Sequence, residues 1–92
     1  MNVKYHTELI DIFEKLSKKD NVLYNQILRK INEIIVSEYI EHYKNLNYPL
    51  QKFKRVHISE KYVLIFQYIK SEDIVLFRYF EHRDNIYNRE YD

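Results

Sequence analysis

"QKFKRVHISEKYVLIFQYIKSEDIVLFRYF", residues 51–80, has the period of a β-sheet, and its reading decides the fold. Its centre, KYVLIFQYI (61–69), is apolar on both parities, as expected of a central strand covered on both faces. Before it, QKFKRVHI (51–58) mixes apolar and basic positions. After it, DIVLFRYF (73–80) reads as a third strand. The two breaks, SEK (59–61) and SED (71–73), are short and polar, which suits hairpins. The stretch therefore predicts a three-stranded antiparallel meander.

Ahead of Pro49 the period is helical. Leu9, Ile12, Phe13 and Leu16 recur at three and four residues between charged neighbours, so Thr7 to Ser17 predicts an amphipathic helix with Thr7 as its N-cap. Tyr24, Ile27, Leu28, Ile31, Ile34 and Ile35 repeat in the same way, with Asp20 or Asn21 as the cap. The turn between them, SKKDN, is short, so the helices should form an antiparallel hairpin. Residues 37–50 lose the period, and the sole proline closes that connection. NVKYH (2–6) is either a short strand or a loose end. The expected fold class is α+β: an N-terminal helical hairpin on a small antiparallel sheet, a three-stranded meander with room for a short N-terminal strand. One domain spans residues 1–92, and the closing NREYD (88–92) is expected to fray.

Composition narrows the function classes. The chain has no glycine, which excludes the phosphate-cradling loops of P-loop and dinucleotide-binding proteins. Tight turns must use Asn, Asp, Ser or Lys instead. The lack of cysteine excludes disulfides and thiolate metal sites and suits a reducing compartment. No secretory segment opens the chain and no run is long enough to span a bilayer, so a cytoplasmic protein is expected. The formal charge is only +1. Between Glu41 and Glu60, however, there is no acid, and His42, Lys44, Lys52, Lys54, Arg55 and His57 lie there. Such a patch attracts phosphate even on a nearly neutral protein. A solvated Lys-rich strand edge is the plainer reading of the same residues.

Side chains alternate along a strand. Phe53, Arg55 and His57 should share one face, and Arg78, Phe80 and His82 another. Hairpin pairing is expected to bring both sets to the side of the sheet that the helices leave uncovered. The histidines lack the spacing of a zinc motif, so no metal and no cofactor is expected. Ser59 and Ser71 fall in turns without an oxyanion loop. Glu81 and Asp84 flank Arg83 and read as ion-pair partners. The chemistry left to such a set is cleavage of RNA by its own 2′-hydroxyl. Histidine can serve as base or acid near neutral pH, Arg and Lys can stabilise the phosphorane, and tyrosine can stack on an unpaired base. Each residue taken singly is more readily a surface, capping or packing group.

The order helix, helix, YPLQKFKRVHISEKYVLIFQY (48–68), VLFRYFEHRDNIY (75–87) resembles the RelE/ParE superfamily of type II toxin–antitoxin toxins, and within it the YafQ-like branch of RelE toxins. The resemblance covers nearly the whole chain. Its most specific parts are the Pro-Leu…Arg-Val-His-Ile…Tyr-Val-Leu-Ile-Phe run and a His-x-x-x-[Leu/Ile]-aromatic close. It implies a ribosome-dependent mRNA endonuclease that is metal-independent and held silent by a RelB-like antitoxin. It implies His82 as catalytic acid or base, Tyr87 as the aromatic that positions the nucleotide, His57 as a second catalytic histidine and Arg83 as phosphorane stabiliser. Lys52, Lys54, Arg55, Lys61, Tyr62 and Arg78 are the implied RNA-binding residues. Two positions depart from the branch: Tyr48 stands where a histidine is usual and Lys61 where an aspartate is. A gyrase-poisoning ParE-like toxin and a catalytically decayed binding module of the same fold stay open as alternatives.

Overall fold

The meander forms as β2 (Lys54–Ile58), β3 (Tyr62–Ile69) and β4 (Ile74–His82), in a computed structural model that describes residues 1–88. The expected fraying of the C-terminal tail falls, for residues 89–92, outside the described residues. Both turns solve the missing-glycine problem as the composition requires. Ser59 and Asp73 each take the left-handed conformation at φ 53°, which costs a non-glycine residue least when it is short and polar.

The sheet has four strands in the order β1-β4-β3-β2, because residues 2–5 pair with β4 as β1 (Asn2–Tyr5). That pairing is parallel, with Val3 opposite Val75 and Tyr5 opposite Phe77. The expected antiparallel sheet therefore holds for the meander, and the whole sheet is mixed. Parallel neighbours need a long crossover, which the helical hairpin and two strands of the meander supply.

The helices are α1 (Thr7–Lys19) and α2 (Asn21–Val36), joined through Asp20 alone. Asp20 caps α2 by accepting the Leu23 N–H at 3.1 Å. His6, rather than Thr7, caps α1: its Nδ1 accepts the Glu8 N–H at 3.2 Å. From α2 the fully or nearly fully buried residues are Leu23, Ile27, Ile31 and Ile34, whereas Leu28 is left exposed. They pack with Leu9 of α1 on one sheet face, against Ile58, Leu64, Phe66, Val75, Phe77 and Phe80.

The other face is covered too. Leu46 and Phe53, from the aperiodic connection, and Ile86, from the C-terminal turn, bury Val63, Ile65 and Tyr79. This explains why β3 is apolar on both parities: Val63, Leu64, Ile65 and Phe66 are all fully buried.

Candidate functional site

Register decides which side chains can act together. His57 lies opposite Val63, and Arg55 opposite Ile65, so both lie on the second face with Phe53. On β4 the alternation is interrupted. Ile65 pairs with Tyr79 and Phe66 with Phe77, which leaves Arg78 as an extra residue in a β-bulge. Arg78 stays on the second face, its guanidinium 5.6 Å from the Phe53 ring and 5.4 Å from the Tyr79 ring. Past the bulge the parity inverts. Phe80 pairs with Leu64 in the helix-side core, and His82 pairs with Tyr62. The expected common face for Arg78, Phe80 and His82 is thus corrected, and His57 and His82 project to opposite sides of the sheet. One strand, β3, lies between theirs, which puts β2 and β4 about 10 Å apart at the usual spacing.

His82 closes β4 at the rim of the sheet and is only half-buried. Its ring meets Tyr62 edge-on at 5.8 Å, and Tyr62 stacks on Phe80 at 5.0 Å. Its Nδ1 accepts the Asp84 N–H at 3.2 Å, with the Asp84 carboxylate 3.5 Å away. An Nδ1 that accepts a hydrogen bond fixes the neutral ring as the Nε2–H tautomer. Asp84, which the sequence offered only as an ion-pair partner of Arg83, is therefore also the neighbour that orients the imidazole. A residue two positions past a histidine gives no signal in sequence beyond its capacity to close a tight turn.

Arg83 ties this rim together. Its backbone N–H donates to the Lys61 carbonyl at 2.9 Å and Nη1 to the Glu60 carbonyl at 3.1 Å. Nε lies 3.7 Å from Asp84, the ion pair expected there. Lys61 and Tyr62 are thereby held beside His82. Tyr87 follows one 3₁₀ turn later, with its ring 53% exposed. Its hydroxyl accepts the Asn47 N–H at 3.0 Å, which anchors the C-terminal turn to the connection on the second face.

The basic residues divide. Lys52 is exposed, with its ammonium 5.1 Å from the Phe53 ring. Arg55 is half-buried, and its Nη1 lies 3.4 Å from His57 Nε2. Lys54 has a different task. Its ammonium donates to the Glu41 carbonyl (3.3 Å), the Tyr43 carbonyl (3.0 Å) and Asn45 Oδ1 (2.8 Å), which pins the connection to β2. Partial burial pushes its pKa below the usual value, against the raising pull of Glu41. An ammonium has three N–H donors, and all three of Lys54's are met within the fold, so a phosphate contact there would have to replace one of these bonds. Lys54→Met is expected to cost about 1–2 kcal/mol, the lower part of the range for hydrogen bonds to a charged group because the site is partly wet. A denaturant midpoint shift at unchanged slope reads this. Nucleic-acid affinity should be unaffected, and weakened affinity at full stability would place the ammonium on the binding surface.

No group of three His, Asp or Glu side chains among the described residues is arranged to hold a metal ion.

No family model matches the chain. Over 78 residues it is 45% identical to "Putative toxin RelE4" of Methanocaldococcus jannaschii, which covers 85% of this chain and 81% of that one. Among solved structures, a YoeB–YefM complex from Staphylococcus aureus matches at a TM-score of 0.71 and 10% identity, over 88% of this chain and 94% of that one. A variant of the E. coli toxin RelE, in complex with a peptide of the antitoxin RelBc, matches at a TM-score of 0.65 and 19% identity, over 95% and 90%. At identities of 10% and 19% the structural likeness is one of fold alone.

Proposed function

We propose that this chain, which belongs to the RelE toxin family within the RelE/ParE superfamily, cuts messenger RNA on the ribosome by attack of a ribose 2′-hydroxyl. The observation that carries the reading is the rim cluster: a half-exposed imidazole edge-on to Tyr62, its Nδ1 held by the Asp84 N–H, with the Arg83 guanidinium paired to the same aspartate. With Nδ1 engaged, Nε2 is the nitrogen left to act. A neutral ring has a proton there and cannot accept another. The imidazolium, whose Nδ1–H turns from the Asp84 N–H to the Asp84 carboxylate 3.5 Å away, can give its Nε2 proton, so His82 suits protonation of the leaving 5′-oxygen better than removal of the 2′-proton. Arg83 and Lys61 flank it as candidates to stabilise the phosphorane, and Tyr62 and Tyr87 offer ring faces to an unpaired base.

The two histidines do not share one open face. His57 lies across the sheet from His82 and has no part in the same proton transfer. Its Nε2 faces the Arg55 guanidinium instead. The partner we assign is a RelB-like antitoxin in the cytoplasm, acidic where it meets the basic residues. The solved RelE neighbour in complex with an antitoxin peptide supports that assignment.

Primer extension on messenger RNA incubated with the purified chain, with and without ribosomes, tests the proposal. Codon-positioned cuts only with ribosomes are expected. Intact message together with trapped gyrase–DNA complexes would instead make the chain a ParE-like poison.

A further inference from the structure

Two hollows of about 300 Å³ each run along the outer edge of β2 and meet at His57. One lies beneath α2 and is lined by Arg29 and Lys30; the other lies beneath the connection and is lined by His42, Lys44 and Arg55. The second hollow has no carboxylate in its lining. In the first, the single acid is Glu33, already paired with Lys30 at 3.0 Å. Among the described residues, Arg29, Lys44 and Arg55 have no ion-pair partner. Arg55 Nε is buried and makes no hydrogen bond within the fold.

A row of uncompensated cations along a groove is an electrostatic track for a phosphodiester chain. We propose that the β2 edge is a second RNA-binding site, separate from the His82 rim, which takes the backbone phosphates of a single strand through Arg29, Lys44, Arg55 and His57. Arg55 holds the centre, with His57 Nε2 positioned against its Nη1. Arg29 and Lys44 extend the track to either side. The helix and the connection become one surface only in the folded chain, since α2 packs against β2 and the Arg55 N–H donates to the Lys44 carbonyl at 2.9 Å. The ligand class rests on the RNA reading above; the groove itself rests on charge and shape.

Binding of a fluorescent 2′-O-methyl RNA oligonucleotide, which cannot be cut, tests it by anisotropy across a salt series. The double reversal R29E/K44E is compared with K15E/K19E on α1, which changes the net charge equally but lies away from β2. R29E/K44E should raise Kd by at least about tenfold at low salt and flatten the slope of log K against log salt by about 1.4, two contacts at roughly 0.7 each for a single strand. K15E/K19E should leave both near wild type. Equal weakening by the two pairs, or wild-type binding by R29E/K44E, overturns the proposal. Thermal melting verifies that each variant folds, and R29Q/K44Q replaces any reversal that does not. A chain that binds as expected but never cuts message on ribosomes keeps the groove and loses the nuclease. One that cuts message, with a groove variant that binds like wild type, loses the groove alone.

Discussion

His82→Ala is expected to slow single-turnover RNA cleavage on programmed ribosomes by about 10²–10⁴-fold, the usual contribution of one positioned acid or base. Folding stability should change little. The ring is half-exposed, its contact with Tyr62 is edge-on at the end of a strand, and its one hydrogen bond is to a turn N–H. That bond is the reason to expect a large kinetic effect from a small side chain. A histidine whose Nδ1 is already satisfied presents one defined nitrogen to solvent, and no rotation is needed to bring it into use. Alanine removes the proton donor and leaves the Asp84 N–H to water, which is a minor cost at an exposed turn. His82→Gln offers a hydrogen-bond donor of similar reach that cannot release its proton, and should be nearly as slow as alanine. A folded His82→Ala chain that cuts at the wild-type rate would end the assignment of this residue to catalysis.

The meander and the helical hairpin were legible because long elements repeat their period many times. Ile27, Ile31 and Ile34 or Leu64 and Phe66 each restate the same face. The features that shape the site lack that redundancy. The bulge at Arg78 adds one residue to β4 and inverts every side chain beyond it, yet no glycine or proline marks it, so simple alternation assigned Phe80 and His82 to the wrong face. β1 has four residues, too few for a period, and its parallel partner is reached only across the whole fold. The connection over residues 37–53 buries Ile40, Leu46 and Phe53 one at a time, which a search for periodicity does not detect. Lys54 shows the same limit for charge: the sequence displays a cation in a basic patch, but its three acceptors come from Glu41, Tyr43 and Asn45 and converge only on folding. The basic cluster was legible as composition. Its division into a clamp, a groove and a rim was not.

Phe77→Ala is expected to remove about 3–5 kcal/mol of stability, a large share of the roughly 5–14 kcal/mol typical of a chain this long. Phe77 is fully buried. Its ring stacks on Tyr5 at 5.4 Å and lies 5.8 Å from Phe66, and its carbonyl accepts the His6 N–H at 2.9 Å. Tyr5 in turn meets Phe13 of α1 at 6.5 Å. The residue therefore joins β1, α1 and the middle of the sheet at one point. The rigid sheet on one side and the helix on the other leave little room for collapse, so most of the cavity should persist. Equilibrium denaturation reads the loss, and hydrogen exchange at the His6 amide should rise first if β1 is released. A cost below about 1 kcal/mol would mean that the site repacks and that β1 is held by its ladder alone. Phe77 lies five residues before His82, on the far side of the bulge, and its ring contacts are with Tyr5 and Phe66. Under conditions where Phe77→Ala stays folded, its cleavage rate per folded molecule should match wild type. The substitution at His82 should do the reverse, so rate and stability should vary independently if the chemistry is confined to the rim.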